Sequence, residues 1–222
     1  MSENLVPCLR ARPGGFPSRT EAVSESIKHA ILTGALRPGQ ALVEADLAEQ
    51  LGVSKAPVCE ALKALVGSGL VATSPCKGAA VWEVNRRLAR CVNDMRMMLE
   101  PVAAAWAVAR ERRWDEALRA LNRSDQAAAA AERAPADRDF HQALSGGCGN
   151  PLLVKRLDEL RDRTALVSSV ARSRQRSWKQ EACEHRAILT ATENGEAELV
   201  CGLMHSHIGT FMARNFPERE SE

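Results

Sequence analysis

Long apolar runs and an ordered set of cysteines are both missing from this sequence. No stretch of about 18 apolar residues is present, so a transmembrane helix is not expected. The seven cysteines are odd in number, scattered and never spaced as C-x-x-C, which argues against a disulfide framework and a thiolate zinc site. The opening MSENLVPCLRARPGG lacks the charged-then-apolar order of a signal peptide. These absences predict a soluble, cytoplasmic protein without membrane contact.

Net charge is also nearly absent. The 222-residue chain has a formal net charge of +2, and residues 1–84 carry eight Lys and Arg against eight Asp and Glu. Charge balance alone does not indicate a nucleic-acid-binding protein, so any DNA contact must come from locally placed cations. With 45% hydrophobic and 26% charged residues, the composition is typical of a globular chain with one large domain or two smaller ones.

Residues 18–84 have the pattern of a small helical unit followed by a β-hairpin. The segment EADLAEQLGVSKAPVCEALKALVGSGLV predicts two short helices joined at Gly52, which permits a tight turn. Ser54 suits the N-cap of the second helix, and Pro57 falls in its first turn, where a missing amide donor costs little. The following LVATSPCKGAAVWEV predicts two strands around a tip, which is a wing. The pattern alone supports a DNA reader and another small helical unit equally.

The stretch ILTGALRPGQALVEADLAEQLGVSKAPVCEALKALVGSGLV resembles the winged helix-turn-helix of GntR-family transcription regulators. The similarity runs continuously from about residue 20 to residue 84. In that family the recognition helix enters the major groove of DNA and the wing reaches the adjacent minor groove. The resemblance implies a DNA-binding set at the start of the recognition helix and at the wing tip: Ser54, Lys55, Ala56, Pro57, Cys59, Lys77 and Gly78.

Three positions depart from the family pattern, which usually has arginine where this chain has Ala45, Lys55 and Cys59. Lysine can bind a phosphate, but it lacks the planar fork of donors that pairs with guanine. Cysteine supplies no charge at all. We therefore expect an operator that differs from those read by members with these arginines, a lower affinity, or both.

From Arg86 onward the sequence has no β signal and is rich in Ala, Leu, Arg and Glu. Its segments predict an antiparallel bundle of about six helices, with one helix over 114–134 and a short one beginning after Pro135. The predicted fold is mostly α: a winged helix-turn-helix with a small β-hairpin wing, followed by an all-α antiparallel bundle. The predicted parts are a flexible tail at 1–17, a DNA-binding domain at 18–84, the all-α domain at 85–217 and a tail at 218–222.

Helical periodicity turns three histidines and one aspartate towards the interior of the predicted bundle. Asp137 and His141 are four residues apart and share one helix face. His185 and His207 lie on the inward stripes of the last two helices, whereas His205 points away. For a single histidine, a hydrogen-bonded place in the core is the better interpretation. Four convergent polar groups are costly to bury without a partner, and a zinc, nickel, manganese or iron ion would offset that cost.

The segments DRDFHQALSGGCGNPLL, EHRAIL and MHSHI, with RMMLEPVAAAWA before them, resemble the ligand-binding FCD domain of FadR-type GntR regulators. Many members with this motif hold a divalent metal, with zinc the first expectation here, through one aspartate and three histidines. Matching residue by residue gives Asp137, His141, His185 and His207. Because all four are present, the metal-binding branch is favoured over the acyl-ligand branch, which lacks the set.

The resemblance implies a ligand-responsive repressor that acts as a homodimer on a palindromic operator. In metal-binding relatives the effector is typically a small organic acid beside the metal, and Arg96 could pair with its carboxylate. An intrahelical ion pair with Glu100 is an equally supported role for Arg96. A metal-dependent hydrolase and a regulator with a purely structural metal remain alternatives. No separate general base is apparent, and a hydrolase would leave the DNA-binding unit unexplained, so an enzyme is not expected.

Overall fold

The protein is described by a computed structural model, which divides the chain into two compact units between Val84 and Asn85. The described residues are 18–75, 78–110, 113–127, 130–171 and 178–216. The predicted tails at 1–17 and 218–222 and the wing residue Lys77 therefore lie outside them. The predicted fold class, a winged helix-turn-helix followed by an all-α bundle, is confirmed.

The N-terminal unit combines three helices with a small sheet. Its elements are α1 (Arg19–Thr33), β1 (Ala41–Leu42), α2 (Glu44–Leu51), α3 (Lys55–Ser68), β2 (Val71–Ser74) and β3 (Gly78–Val81). Helix α3 packs against α1, α2 and β2. A capping box starts α1, in which Glu21 N–H donates to Ser18 Oγ at 3.2 Å and Ser18 N–H donates to Glu21 Oε2 at 2.7 Å. Between α2 and α3, Gly52 takes the left-handed conformation at φ 64°, which glycine adopts without steric cost. The predicted helix-turn-helix therefore forms at the predicted glycine.

The predicted wing is an antiparallel hairpin of β2 and β3, with Val71 opposite Val81. A third strand, β1, pairs with the other edge of β3 and was not predicted from the sequence. Only Leu42 of its two residues is buried, so the strand is too short to show the alternation that identifies strands. The chain before α2 is thereby attached to the wing.

The C-terminal unit is a bundle of helices, as predicted. Among the described residues its elements are α4 (Arg86–Val108), α5 (Asp115–Gln126), α6 (Ala130–Ser145), α7 (Pro151–Ala171), α8 (Trp178–Glu193) and α9 (Ala197–Asn215). The long helix α4 packs against α6, α7 and α9, while α5 packs against α6 and α8. The apolar side chains that fill its interior include Trp114, Phe140, Leu144, Leu157, Ile188, Met204 and Ile208.

The boundary between the second and third helices of the bundle differs from the prediction. The predicted helix over 114–134 ends at Gln126, where Ala127 turns extended (φ −67°, ψ 120°), and α6 already begins at Ala130. Pro135 therefore lies inside α6 rather than before it. As the sixth residue of α6, Pro135 cannot donate the usual hydrogen bond to the carbonyl four residues before it, so the helix continues there with one backbone hydrogen bond missing. The longer α6 packs along α5 and carries Arg133 as well as Asp137 and His141.

No helix in the described ranges is long and apolar enough to cross a membrane.

Candidate metal centre

Three helices of the bundle bring three histidines together. His141 on α6, His185 on α8 and His207 on α9 each offer one ring nitrogen, and these three atoms lie within 4.8 Å of one another. His141 and His185 are buried, and the side chain of His207 is 11% exposed. His205, which the stripe on α9 excludes, is exposed. The structure therefore collects the histidines that periodicity selected and leaves out the neighbouring one.

Asp137 lies beside two of these histidines, one turn before His141 on α6. Its Oδ1 lies 3.4 Å from His185 Nε2 and 3.9 Å from His141 Nε2. The Nε2 atoms of His185 and His207 are 3.1 Å apart. Two ligands of a tetrahedral zinc ion with bonds of about 2.0–2.1 Å are roughly 3.3 Å apart. The 3.1 Å and 3.4 Å separations therefore fit a shared ion, whereas His141 would have to move inward to bind the same ion.

Glu184 on α8 fixes the orientation of His207. Its Oε2 is 2.8 Å from His207 Nδ1, and Arg214 donates to the same oxygen at 3.0 Å. Although partial burial raises the pKa of Glu184, the hydrogen bonds from His207 and Arg214 lower it to about 2. An ionised carboxylate only accepts hydrogen bonds, so His207 Nδ1 carries the proton. With the proton on Nδ1, the neutral form of the ring would have its lone pair on Nε2, which faces His185, as a metal ligand requires.

Glu100 on α4 fixes the orientation of His141 in the same way. Its Oε1 is 3.1 Å from His141 Nδ1, and the carboxylate also accepts from Arg161 at 3.2 Å and from Arg96 at 2.7 Å. Burial raises the pKa of Glu100, but Arg96, His141 and Arg161 lower it well below its ordinary value. Because this ionised acceptor takes the Nδ1 proton, the 3.4 Å contact between Arg96 Nη2 and the same nitrogen is not a hydrogen bond. His141 Nε2 is left to face Asp137.

Burial also favours the uncharged forms of His141 and His185. It lowers the pKa of His185 well below the usual value, and the neighbouring His207 lowers it further. Burial likewise lowers the pKa of His141, although Glu100 opposes the shift. Neutral imidazole is the form that binds metals. The donor set, its protonation and its oriented nitrogens together fit a divalent metal ion.

Arg96 contacts the buried carboxylate of Glu100 and also lines a cavity beside the histidines. The ion pair with Glu100 that the sequence offered as one role is present, with both side chains buried. Arg96 also lines the cavity together with Asp137, His141, His185 and His207. The two roles that the sequence left open are thus compatible in geometry.

Sequence reasoning missed the two carboxylates behind the histidines. Glu100 was matched only with Arg96, and Glu184 was not singled out. The signal for Glu100 was a charged residue inside the otherwise apolar RMMLEPVAAAWA, since a buried charge needs a partner. No comparable signal marks Glu184, because its partners His207 and Arg214 are on a different helix.

The predicted DNA-contacting residues lie at the start of α3 and on the wing. Ser54 occupies the N-cap position of α3, though its side chain makes no capping hydrogen bond. Ser54, Lys55 and Ala56 are exposed, while Pro57 and Cys59 are partly buried. Gly78 is exposed at the start of β3. The short polar face at the start of α3 is therefore accessible.

Comparison with known proteins assigns both units. Residues 19–81 match the family described as bacterial regulatory proteins, gntR family, and residues 91–210 match the FCD domain. A 91-residue segment is 42% identical to the HTH-type transcriptional regulator McbR of Escherichia coli K12 and covers 41% of each chain. A 166-residue segment is 29% identical to the Glc operon transcriptional activator of the same organism and covers 64% of this chain and 65% of that one.

Two solved structures have the same fold. The structure of Escherichia coli McbR/YncC aligns with a TM-score of 0.78 at 26% identity, over 89% of this chain and 96% of that one. A GntR transcriptional regulator from Rhodococcus sp. RHA1 aligns with a TM-score of 0.79 at 23% identity, over 92% of this chain and the whole of the other. With a gntR-type winged helix-turn-helix followed by an FCD domain, the chain belongs to the FadR-type subfamily of GntR transcription regulators.

Proposed function

We propose that this regulator is a homodimeric repressor whose FCD domain binds one divalent metal ion and a small organic acid. Asp137, His141, His185 and His207 would hold the ion. The observation that carries the proposal is the convergence of the three ring nitrogens within 4.8 Å, with the Nδ1 atoms of two of the rings facing ionised carboxylates. Histidine ligands are commonly oriented by such partners. Zinc fits the nitrogen and oxygen donors, and nickel, manganese and iron are alternatives.

The acid would bind in the cavity that the histidines and Arg96 line. A bound divalent ion supplies positive charge and open positions to which a carboxylate can attach. Arg96 has its Nε engaged by Glu100, so its Nη atoms are the donors available for the acid. Charge-assisted contacts of this kind are roughly twice as strong as neutral hydrogen bonds. Binding of the acid would thereby couple α4 to α6, α8 and α9.

A homodimer fits a twofold operator, because each subunit would place one recognition helix in one half-site. The bundle also presents apolar side chains that a second copy could cover. On α4, Met95, Met98, Val102 and Trp106 recur at helical spacing and are 41%, 70%, 39% and 45% exposed. Exposed apolar stripes of this kind are typical of association surfaces.

The family matches and the relatives named above give no support to the hydrolase alternative, so we do not propose it. A purely structural metal is the remaining competitor. The two regulator models differ in one observable, which is whether an acid that binds the metal-loaded protein also changes its affinity for DNA.

Metal content tests the ligand set. Elemental analysis of the purified protein should find about one divalent ion per chain, because a folded site binds the ion more tightly than the unfolded chain does. The ion should be lost in His141→Ala and His207→Ala and retained in His205→Ala, the matched control on the same helix. Loss of the ion in the His205 variant, or unchanged content in all three, would refute the assignment.

Glu184→Gln should weaken the binding of zinc by about tenfold or more, since losing the group that orients a histidine ligand typically costs 10–100-fold in metal affinity. Competition with a chromophoric chelator measures the affinity directly. Glu193→Gln, an exposed position on the same helix, is the control and should leave it unchanged. Equal affinities for both variants would show that Glu184 does not position His207 for a metal.

Operator binding tests the N-terminal unit. The full-length protein should prefer an inverted repeat selected from random DNA. Lys55→Ala should weaken that binding, and its dependence of log affinity on log salt concentration should have a slope smaller by about 1 if Lys55 contacts a phosphate.

Cys59→Arg should change the selected sequence, because one bidentate contact is worth about 1–3 kcal/mol of base discrimination. An identical selected sequence would place residue 59 away from the bases. No preference for any sequence over random DNA would refute the regulator model.

A further inference from the structure

The cavity beside the histidines extends along α6 to a second cation, Arg133. Arg133 lies one turn before Asp137 and two turns before His141, so all three side chains share one face of the helix. At 1.5 Å per residue, Arg133 is about 6 Å from Asp137 and about 12 Å from His141 along the axis. Arg133 and Trp178 line the same cavity as the histidines. The cavity is thus lined by two arginines, Arg96 at the histidine end and Arg133 at the other end.

The guanidinium of Arg133 is held in place by two contacts that use none of the cavity's acidic groups. Its Nη2 donates to the backbone carbonyl of Ala127 at 2.7 Å. Its Cζ lies 4.8 Å from the centroid of the Trp178 ring, a cation–π distance. Trp178 begins α8 and is 39% exposed, so the pair stands between the cavity and solvent. A guanidinium fixed in this way needs little further ordering to bind a ligand.

One hydrogen-bond donor of this guanidinium, Nε, is unsatisfied. Arg133 Nε is buried and has no hydrogen-bond partner among the described residues. A buried donor without an acceptor is unfavourable, and few such groups persist in native proteins without a ligand or water to satisfy them. Besides Asp137, two acidic residues line the same cavity: Asp125 is engaged by Arg186 on α8, and Glu181 also has a partner. The unsatisfied Nε is therefore a donor that no acceptor of the described residues uses and that a ligand could take.

We infer that Arg133 and Trp178 form a second anion subsite, so that the effector is an acid with two anionic groups. One carboxylate would bind at the histidine end, beside Arg96, and the other at Arg133. The inference rests on the proposed function, in which an acid binds beside the histidines, and it adds that this acid has two anionic groups. A monocarboxylate at the histidine end would leave Arg133 Nε unpaired, whereas a diacid that spans the cavity would satisfy both ends.

Paired acids of equal carbon number test the subsite. The zinc-loaded, full-length protein is titrated by calorimetry with succinate against butyrate and with glutarate against valerate. At least one diacid should bind about tenfold or more tightly than its monoacid partner, which is the range for one hydrogen bond to a charged group. Arg133→Gln should remove this preference, so that the diacid binds no more tightly than the monoacid of equal carbon number.

Two further variants separate the subsite from a general effect on folding. Arg133→Lys keeps the charge but loses the planar fork, so it should recover only part of the preference. Arg113→Gln, which removes an arginine with an 86% exposed side chain paired with Asp115, should keep the whole preference. Unchanged zinc content and melting temperature identify a folded variant.

The outcomes that overturn the inference are distinct. If the wild type binds monoacids and diacids equally, or if Arg133→Gln retains the preference, the second subsite is wrong and the proposed metal and acid site stands. If no acid binds the zinc-loaded protein at millimolar concentration, the acid-binding part of the proposed function fails with it.

Discussion

The buried carboxylate of Glu100 is the interaction on which the arrangement of the bundle depends. Its side chain is completely buried on α4 and accepts hydrogen bonds from Arg96 on the same helix, His141 on α6 and Arg161 on α7. Removing one partner of a buried ion pair typically costs about 3–5 kcal/mol, because the other charge is left uncompensated. Three helices must therefore keep their register for this one carboxylate to remain ionised. The same requirement holds the ring of His141 with Nε2 towards the other histidines.

A second carboxylate repeats this arrangement on the opposite side of the cluster, where Glu184 joins α8 to His207 and Arg214 on α9. The two carboxylates are thus the reason that rings from separate helices present lone pairs to one point. Lone pairs oriented in this way are what the proposed metal ion would require of its ligands. An ion or acid bound between the helices would contact the same histidines that Glu100 and Glu184 already connect to α4 and α8.

Much of this could be predicted from the sequence, because amphipathic periodicity reports which face of a helix is buried. The stripes on α6, α8 and α9 selected His141, His185 and His207 and excluded His205, and the structure brings the selected rings together. Periodicity does not report which helix lies opposite, so the partners Glu100 and Glu184 were missed. The strand β1 cannot be predicted from the sequence, because two residues are too few to show the alternation of buried and exposed side chains. The start of α6 was misplaced because a proline after an alanine-rich segment was interpreted as a break.

The X-ray absorption spectrum of the zinc-loaded protein tests the central claim most directly, because it reports the atoms bound to the ion rather than its presence. We predict a first coordination shell with three imidazole nitrogens and at least one oxygen, at about 2.0–2.2 Å, and two nitrogens in the His207→Ala variant reloaded with zinc. A shell with sulfur at about 2.3 Å, or one of oxygen alone, would contradict the assignment of the three histidines as metal ligands.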